Sequence, residues 1–452
     1  MSIARPGLVP VARARVLLLG LYALAGLMFS AWLARLPAVR DLLGLSTAAL
    51  GTVLLIGSVG SLVTVALSGI IVQRLGNARV LLVSSVVLGV GYALMGIGPG
   101  VGSRGLLAVG IFLNGVSVAL SNIVLNVESA RIERAVGRTV IPQFHAAFSL
   151  GAVAGSAVGA LASGAGIPVT VQLPVMAVVA VCWRLVSLRG VVLPARPDEV
   201  SGPAPVAGPA PGTAARHGGA LGAWREPRTL LIGVVVLAAA LSEGSANTWL
   251  SLAVVDGFGR PESVGGVVLG LFVAAMTAVR LAGTRLIDRY GRVRTLRASG
   301  LVSIVGLLLF GLAPNLALAG LGVVAWGFGA ALAVPIGIAA ASDDPRRAAV
   351  RVAVVSTFAS FAALVAPPAL GLAAQSLGAR HALLLVLAAM LASVAVARQV
   401  TRPVPDEEPS SELPADVTDG VGADSTGHAV RRHHPRTARR RPLPIERAGG
   451  WR

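Results

Sequence analysis

Twelve long apolar runs separated by short basic gaps constrain this chain more than any other feature. A helix needs about 20 predominantly apolar residues to cross a bilayer. Runs of that length fall at 16–35, 48–72, 79–98, 105–128, 142–164, 167–187, 229–251, 263–286, 296–313, 316–340, 349–375 and 380–398. Of the 452 residues, 55% are hydrophobic and only 13% charged, against about 25% charged in a soluble domain. No single soluble core of this size hides that much apolar side chain. Many runs are rich in Gly and Ala, which in water argues against helix. In lipid every backbone group must be satisfied internally, so helix is the remaining solution, and small residues let helices approach closely. The expected fold class is an all-α polytopic membrane protein.

The formal charge of +18 invites a nucleic-acid reading, but its placement does not support one. The chain has no Lys, and its 38 Arg fall almost entirely in the gaps between runs and in the C-terminal tail. With the N-terminus inside, 23 Arg fall on the inner side, with Arg280 and Arg285 counted in the gap after the eighth run. The outer gaps hold five: Arg35, Arg40, Arg104, Arg260 and Arg380. This bias predicts an even number of spans in a bacterial-type inner (cell) membrane with both termini cytoplasmic. Arg13 and Arg15 precede the first run as they would in a signal peptide. No clean small-residue cleavage site follows, so the run reads as the first membrane helix.

Several function classes are excluded. Cys182 is the only cysteine, so no disulfide or cysteine-based metal site can form. Without Lys there is no Walker-type phosphate loop. No Gly-x-Ser-x-Gly or His-Glu-x-x-His element is present, so no hydrolase machinery is visible. The chain is expected to be no enzyme, and to hold no metal and no cofactor.

The gaps also set the domain organisation. Residues 1–189 are expected to form an N-terminal six-helix bundle and 229–398 a C-terminal one. Residues 190–228 are a Pro/Ala/Gly-rich cytoplasmic linker. Residues 399–452 are a tail expected to be disordered. Its first part, 406–424, holds seven acids, and its last part, 431–452, eight Arg. That end suits either anionic lipid or plain solvation.

The clearest local signal lies between the eighth and ninth runs, Leu286-Ile287-Asp288-Arg289-Tyr290-Gly291-Arg292. At the matching place between the second and third stands Gly69-Ile70-Ile71-Val72-Gln73-Arg74-Leu75-Gly76-Asn77. An echo six helices apart suggests two repeated halves. Both loops resemble the signature loop of the major facilitator superfamily, Gly-x-Leu-x-Asp-Arg-x-Gly-Arg. The second keeps Leu286, Asp288, Arg289, Gly291 and Arg292. The first keeps Gly69, Arg74 and Gly76, but has Gln73 for the acid and Asn77 for the last Arg. The resemblance covers roughly residues 12–400 and implies twelve helices in two six-helix pseudo-symmetric bundles. It also implies secondary active transport by alternating access, with these loops as cytoplasmic gates, more complete in the second half.

A narrower resemblance is to the MosC-like branch of that family. It rests on Trp32-Leu33-Ala34-Arg35-Leu36-Pro37, on Asn126 with Glu133-Arg134-Ala135-Val136-Gly137-Arg138, on Phe144-His145-Ala146-Ala147-Phe148-Ser149-Leu150-Gly151, and on Glu243-Gly244 with Trp249. That branch often has Asp where this chain has Asn122, so a proton role for that acid does not carry over.

Polar residues inside the runs are the candidate site. Asn122 and Asn126 lie four apart on one helical face, fit either for substrate hydrogen bonding or for interhelical contact. Glu243 and Asn247 repeat that spacing in the outer half of the seventh run. A carboxylate in a span is a candidate for coupling, because low dielectric favours its neutral form, although an ion pair would also account for it. His145 is a second proton-coupling candidate, or an interfacial residue paired with Glu133. Trp32, a substrate-binding candidate, and Arg35 also fit interfacial anchoring.

The partners expected are a small-molecule substrate, protons and the lipid bilayer, with no nucleic acid and the chain acting as a monomer. Uptake of a polar metabolite and efflux of a hydrophobic compound both remain open. Gly151, Gly155 and Gly159 resemble an antiporter signature, with tight helix packing the simpler account. A non-transporting receptor or scaffold is the alternative from another class.

Overall fold

The computed structural model describes residues 8–193, 220–344 and 347–401. Most of the 190–228 linker and nearly all of the 399–452 tail, including its Arg-rich end, lie outside the described residues, and the expectations about them stay there. Among the described residues every regular element is helical. The N-terminal half comprises α1 (Leu8–Ala34), the short α2 (Leu36–Leu42), α3 (Thr47–Gly100), α4 (Arg104–Val136), α5 (Ile141–Gly164) and α6 (Val169–Val191). A single turn, α7 (Ala220–Ala223), precedes the second half. That half holds α8 (Pro227–Phe258), α9 (Glu262–Tyr290), α10 (Arg292–Leu312), α11 (Leu316–Ala330), α12 (Ala333–Ala341), α13 (Ala348–Ala382) and α14 (Val386–Ala395).

The helices resolve into twelve spans. The 54 residues of α3 would extend about 80 Å as one helix, far beyond the roughly 30 Å of a hydrocarbon core. They do not run on: the backbone breaks at Gly76 (φ 74°, ψ 159°), which separates the second span from the third. The eleventh and twelfth spans are separated the same way at Gly378 (φ 76°, ψ 152°), the twelfth continuing through a short 3₁₀ segment into α14. Between the eighth and ninth spans stands Gly291 (φ 77°, ψ 160°), within a few degrees of Gly76. Only glycine adopts this region readily. The repeat suggested by the sequence is thus repeated in backbone angles as well.

The tenth span departs from expectation. It is read from sequence as one run, 316–340, but consists of α11 and α12 with a break at Ala331–Leu332. Pro335 accounts for it, having no N–H to give to the carbonyl four residues back, that of Ala331.

Small residues set the packing, as anticipated for a membrane bundle. Gly151 and Gly155 of α5 lie directly on the backbone of Ala23 and Leu27 in α1, so a methyl group at either would overlap a carbonyl. The glycine stripe of the fifth span is therefore occupied by helix packing. Across the two halves, α5 meets α9 at Ala160–Gly266 and Ser156–Gly270, and α3 meets α13 at Gly51–Pro367 and Thr47–Gly371. The second half has a dense aromatic core. Phe272 lies edge-on to Trp326 at 5.2 Å, and the Trp326 indole donates to Ser242 Oγ at 2.8 Å. Outward-facing Val171, Val175, Val178, Val179 and Val186 leave an apolar face on α6, as contact with lipid requires.

Candidate functional site

Halfway along the spans, an ion pair joins α8 to α9. Arg280 Nη2 donates to Glu243 Oε2 at 2.8 Å, and Arg280 Nε donates to the Ala331 carbonyl at 3.3 Å. That carbonyl is the one Pro335 leaves without a helical donor. One guanidinium thus satisfies a carboxylate and a freed backbone acceptor together, which is what a charge within a span requires. Glu243 stands 16 residues after the start of α8, at its middle rather than in the outer half. Arg280 stands inside α9, ten residues before Tyr290, and not in the gap to which its charge was assigned. Both side chains keep partial exposure, 24% and 32%. Asn247 lies one turn beyond Glu243 on the same face of α8 and is buried.

The first half carries a second polar group. The Tyr22 hydroxyl of α1 donates to Asn126 Oδ1 of α4 at 3.1 Å and lies 3.2 Å from Ser129 Oγ. Asn122, one turn earlier on α4, is exposed on the same face. The Tyr22 ring stacks on Phe144 and meets the edge of His145 at 5.7 Å between centroids. His145 of α5 in turn lies within electrostatic reach of Arg280 of α9. Glu133 does not pair with His145. Its Oε2 accepts the amides of Val140 and Ile141 at 2.8 and 3.0 Å, at the start of α5. The arrangement sets a carboxylate–guanidinium pair on α8 and α9 and neutral donors and acceptors on α1 and α4.

Trp32 is not part of this group. It is buried in the core of α1, ten residues from Tyr22 or about 15 Å along the helix. It lies near the end at which the halves are tied together. There the buried Arg35 reaches Glu262 Oε2 at 3.2 Å, Gln172 Oε1 at 2.7 Å and the Ile167 carbonyl at 3.0 Å. Glu262, in the first turn of α9, also accepts from the Ala38 amide at 3.1 Å and from the Ser163 hydroxyl at 2.8 Å. A second pair, Arg40 with Asp256, has an Nη2–Oδ1 distance of 2.9 Å. Among the described residues, the ion pairs that join the halves are these two.

The opposite end carries the two signature turns. Past Gly76, Asn77 Nδ2 donates to Glu128 Oε1 of α4 at 2.6 Å, while Glu128 Oε2 accepts the Leu193 amide just after α6. Past Gly291, Arg292 Nη1 donates to Asp343 Oδ1 at 2.6 Å, and Asp343 Oδ2 accepts from Arg228, which also holds the Gln399 carbonyl. The two halves therefore use one design: the residue after the turn glycine binds an acid, in the last third of α4 in the first half and just past α12 in the second, and that acid ties down the end of the half. Asn77 makes the contact that Arg292 makes, so its substitution leaves the anchor in place. Arg74, Asp288 and Arg289 are exposed at this end, the last lying over the Tyr290 ring, and Gly69 is half-buried. Nearby, burial would raise the Glu226 carboxyl. The Thr229 hydroxyl and the Arg351 and Arg347 guanidinia outweigh this and hold it below the ordinary value.

Sequence reasoning missed Arg280 and Glu262 as site residues. The sequence signalled only that a cation pairs with Glu243, not which of the Arg closing the eighth run does so. Glu262 gave none, as an acid in a first helical turn is commonplace. Among the described residues no group of three or more His, Cys, Asp or Glu side chains is placed to hold a metal.

A family model described as Major Facilitator Superfamily matches residues 18–350 and 232–445. An uncharacterized transporter of Sinorhizobium fredii, y4wD, is 30% identical over 357 residues, covering 78% of this chain and 89% of that protein. The membrane protein MosC of Rhizobium meliloti is 24% identical over 365 residues, covering 80% and 84%. Among solved structures, the nucleoside transporter NupG superposes with a TM-score of 0.65 at 15% identity, covering 86% of this chain and 98% of that one.

Proposed function

Since the chain belongs to the Major Facilitator Superfamily of membrane transporters, we propose that it carries a small polar solute across the cytoplasmic membrane by alternating access, coupled to protons through Glu243. The observation that supports this most directly is the Glu243–Arg280 pair, a protonatable group midway through the spans, partly exposed, at the interface of two halves tied together at one end. In this reading Asn122, Asn126 and Asn247 hydrogen-bond the solute, and His145 hands protons to or from the Glu243 side. Trp32 closes the site toward the tied end. The Arg bias supports a topology with both termini in the cytoplasm. The tied end then faces outward, and the conformation described is closed to the exterior. The Gly76 and Gly291 turns, with Arg74, Asp288, Arg289 and Arg292, form the cytoplasmic gate, and one copy of the chain is sufficient.

The test is solute and proton flux in proteoliposomes holding the purified full chain, over a panel of sugars, inositols, amines and carboxylates. A solute should accumulate when an inward proton gradient is imposed. In Glu243→Gln, accumulation should fall by about tenfold or more and lose its pH dependence, while counterflow exchange persists. Proton coupling unchanged in that variant would remove Glu243 from the mechanism. The absence of both solute and proton movement for every panel member would favour a non-transporting membrane protein.

A further inference from the structure

The charged pair at the centre is asymmetrically held, and this bears on what the site accepts. Arg280 has two anchors, Glu243 and the Ala331 carbonyl that Pro335 leaves free. Glu243 makes its one hydrogen bond to Arg280 among the described residues. If Glu243 takes up a proton, the acid loses its claim on the cation, but the guanidinium stays positioned through Nε. Its Nη2 is then vacated, and Nη1 already has no hydrogen-bond partner among the described residues. Two parallel N–H donors on a planar cation match a carboxylate edge to edge.

The surrounding charges point the same way. The titratable groups facing the pair are His145 of α5 and Tyr22 of α1, the latter behind it, and Arg285 follows on the exposed part of α9. Glu128, between Asn126 and Ser129 on α4, is already bonded to Asn77, Arg131 and the Leu193 amide, so it is not offered to an amine. An amine competing for Glu243 would have to displace a guanidinium held from two sides and leave it uncompensated within the span, which is costly.

We propose that the transported solute is a small organic anion, bound through its carboxylate to Arg280 in exchange for Glu243, and that one proton moves with each anion. The proposal rests on the transport reading above and names the substrate class of the same site. The charge balance is closed. The empty site holds Glu243 carboxylate and Arg280 cation. The loaded site holds Glu243 carboxylic acid, Arg280 cation and solute carboxylate. Both sum to zero, so the loaded and empty carriers reorient at the same electrostatic cost, and transport is electroneutral. The remaining contacts available to such a solute are neutral: the Asn122 and Asn126 amides, suited to hydroxyl groups.

The experiment uses the purified full chain and three sets of probes: the carboxylates lactate, gluconate and benzoate; the amines glucosamine and putrescine; and neutral myo-inositol and fucose. Binding is read by thermal shift and by isothermal titration, flux in proteoliposomes with the membrane potential clamped. A carboxylate of the panel is expected to bind wild type more tightly as pH falls. Glu243→Gln, which mimics the protonated acid, should bind it with pH dependence removed. Arg280→Gln should weaken it by about a hundredfold, and Arg280→Lys, which keeps charge without the fork, by about tenfold. Uptake should be independent of the clamped potential. Should amines or neutral polyols bind and move while Arg280→Lys leaves their affinity unchanged, the anion assignment is overturned and the transport reading stands. Should no probe of any class bind or move, the transport reading falls and takes the anion assignment with it.

Discussion

Single residues in this chain act through backbone freedom and through charge. Gly76 and Gly291 occupy positive φ with no atom within 4 Å of an added Cβ, so substitution there tests conformation alone. Gly76→Ala and Gly291→Ala should each lower stability by about 1–2 kcal/mol, read as a lower thermal midpoint in detergent. Gly320→Ala in α11, also with open space but helical, should be neutral or stabilising by about 0.5–1 kcal/mol. Equal effects at all three would show that the turn conformation carries no cost. Glu243 was legible as a site residue because a carboxylate in an apolar run is too costly to persist unless it is paired or used. Arg280 was not, because its run ends among five more Arg, and composition alone cannot say which of them turns into the protein.

At the scale of elements, the break between α11 and α12 matters most. Pro335 costs the tenth span a hydrogen bond at Ala331 and supplies Arg280 with its second anchor. Pro335→Ala restores a backbone donor for that carbonyl. Its expected outcome is a higher thermal midpoint together with slower uptake, since Arg280 then turns on one anchor instead of two. Uptake at the wild-type rate would separate the break from the site. Helix existence was readable because apolar length admits few alternatives in lipid, and most boundaries fall within a few residues of expectation. The break was not read, although Pro335 was in plain view, because a proline in a membrane helix is tolerated wherever a neighbour can satisfy the freed carbonyl. Which neighbour does so is a tertiary fact.

For the whole molecule, the closed end depends on a few charged contacts between the halves. Glu262 is the hub, bonded to Arg35, the Ala38 amide and Ser163. Glu262→Ala should loosen that end, since it leaves the buried Arg35 without its counter-charge. In a Cys182→Ser background, a cysteine replacing the fully buried Ser156 should then react about fivefold or more faster with a membrane-impermeant maleimide. An unchanged labelling rate would show that packing of α5 on α9 is sufficient to close it. The sequence by itself determined the twelve spans and the pair of turns. These follow from local rules: apolar length, the demands of backbone in lipid, and glycine where φ must be positive. It also pointed to Glu243, Asn122, Asn126 and His145, since polar groups in lipid need a reason. Only the tertiary structure decided that Glu243 meets Arg280, that Asn77 does for Glu128 what Arg292 does for Asp343, and that Glu262 and Arg35 close one end. Each of these joins residues from different spans, and the pairing of charges across spans is set by how the helices pack, which no local pattern in the chain encodes.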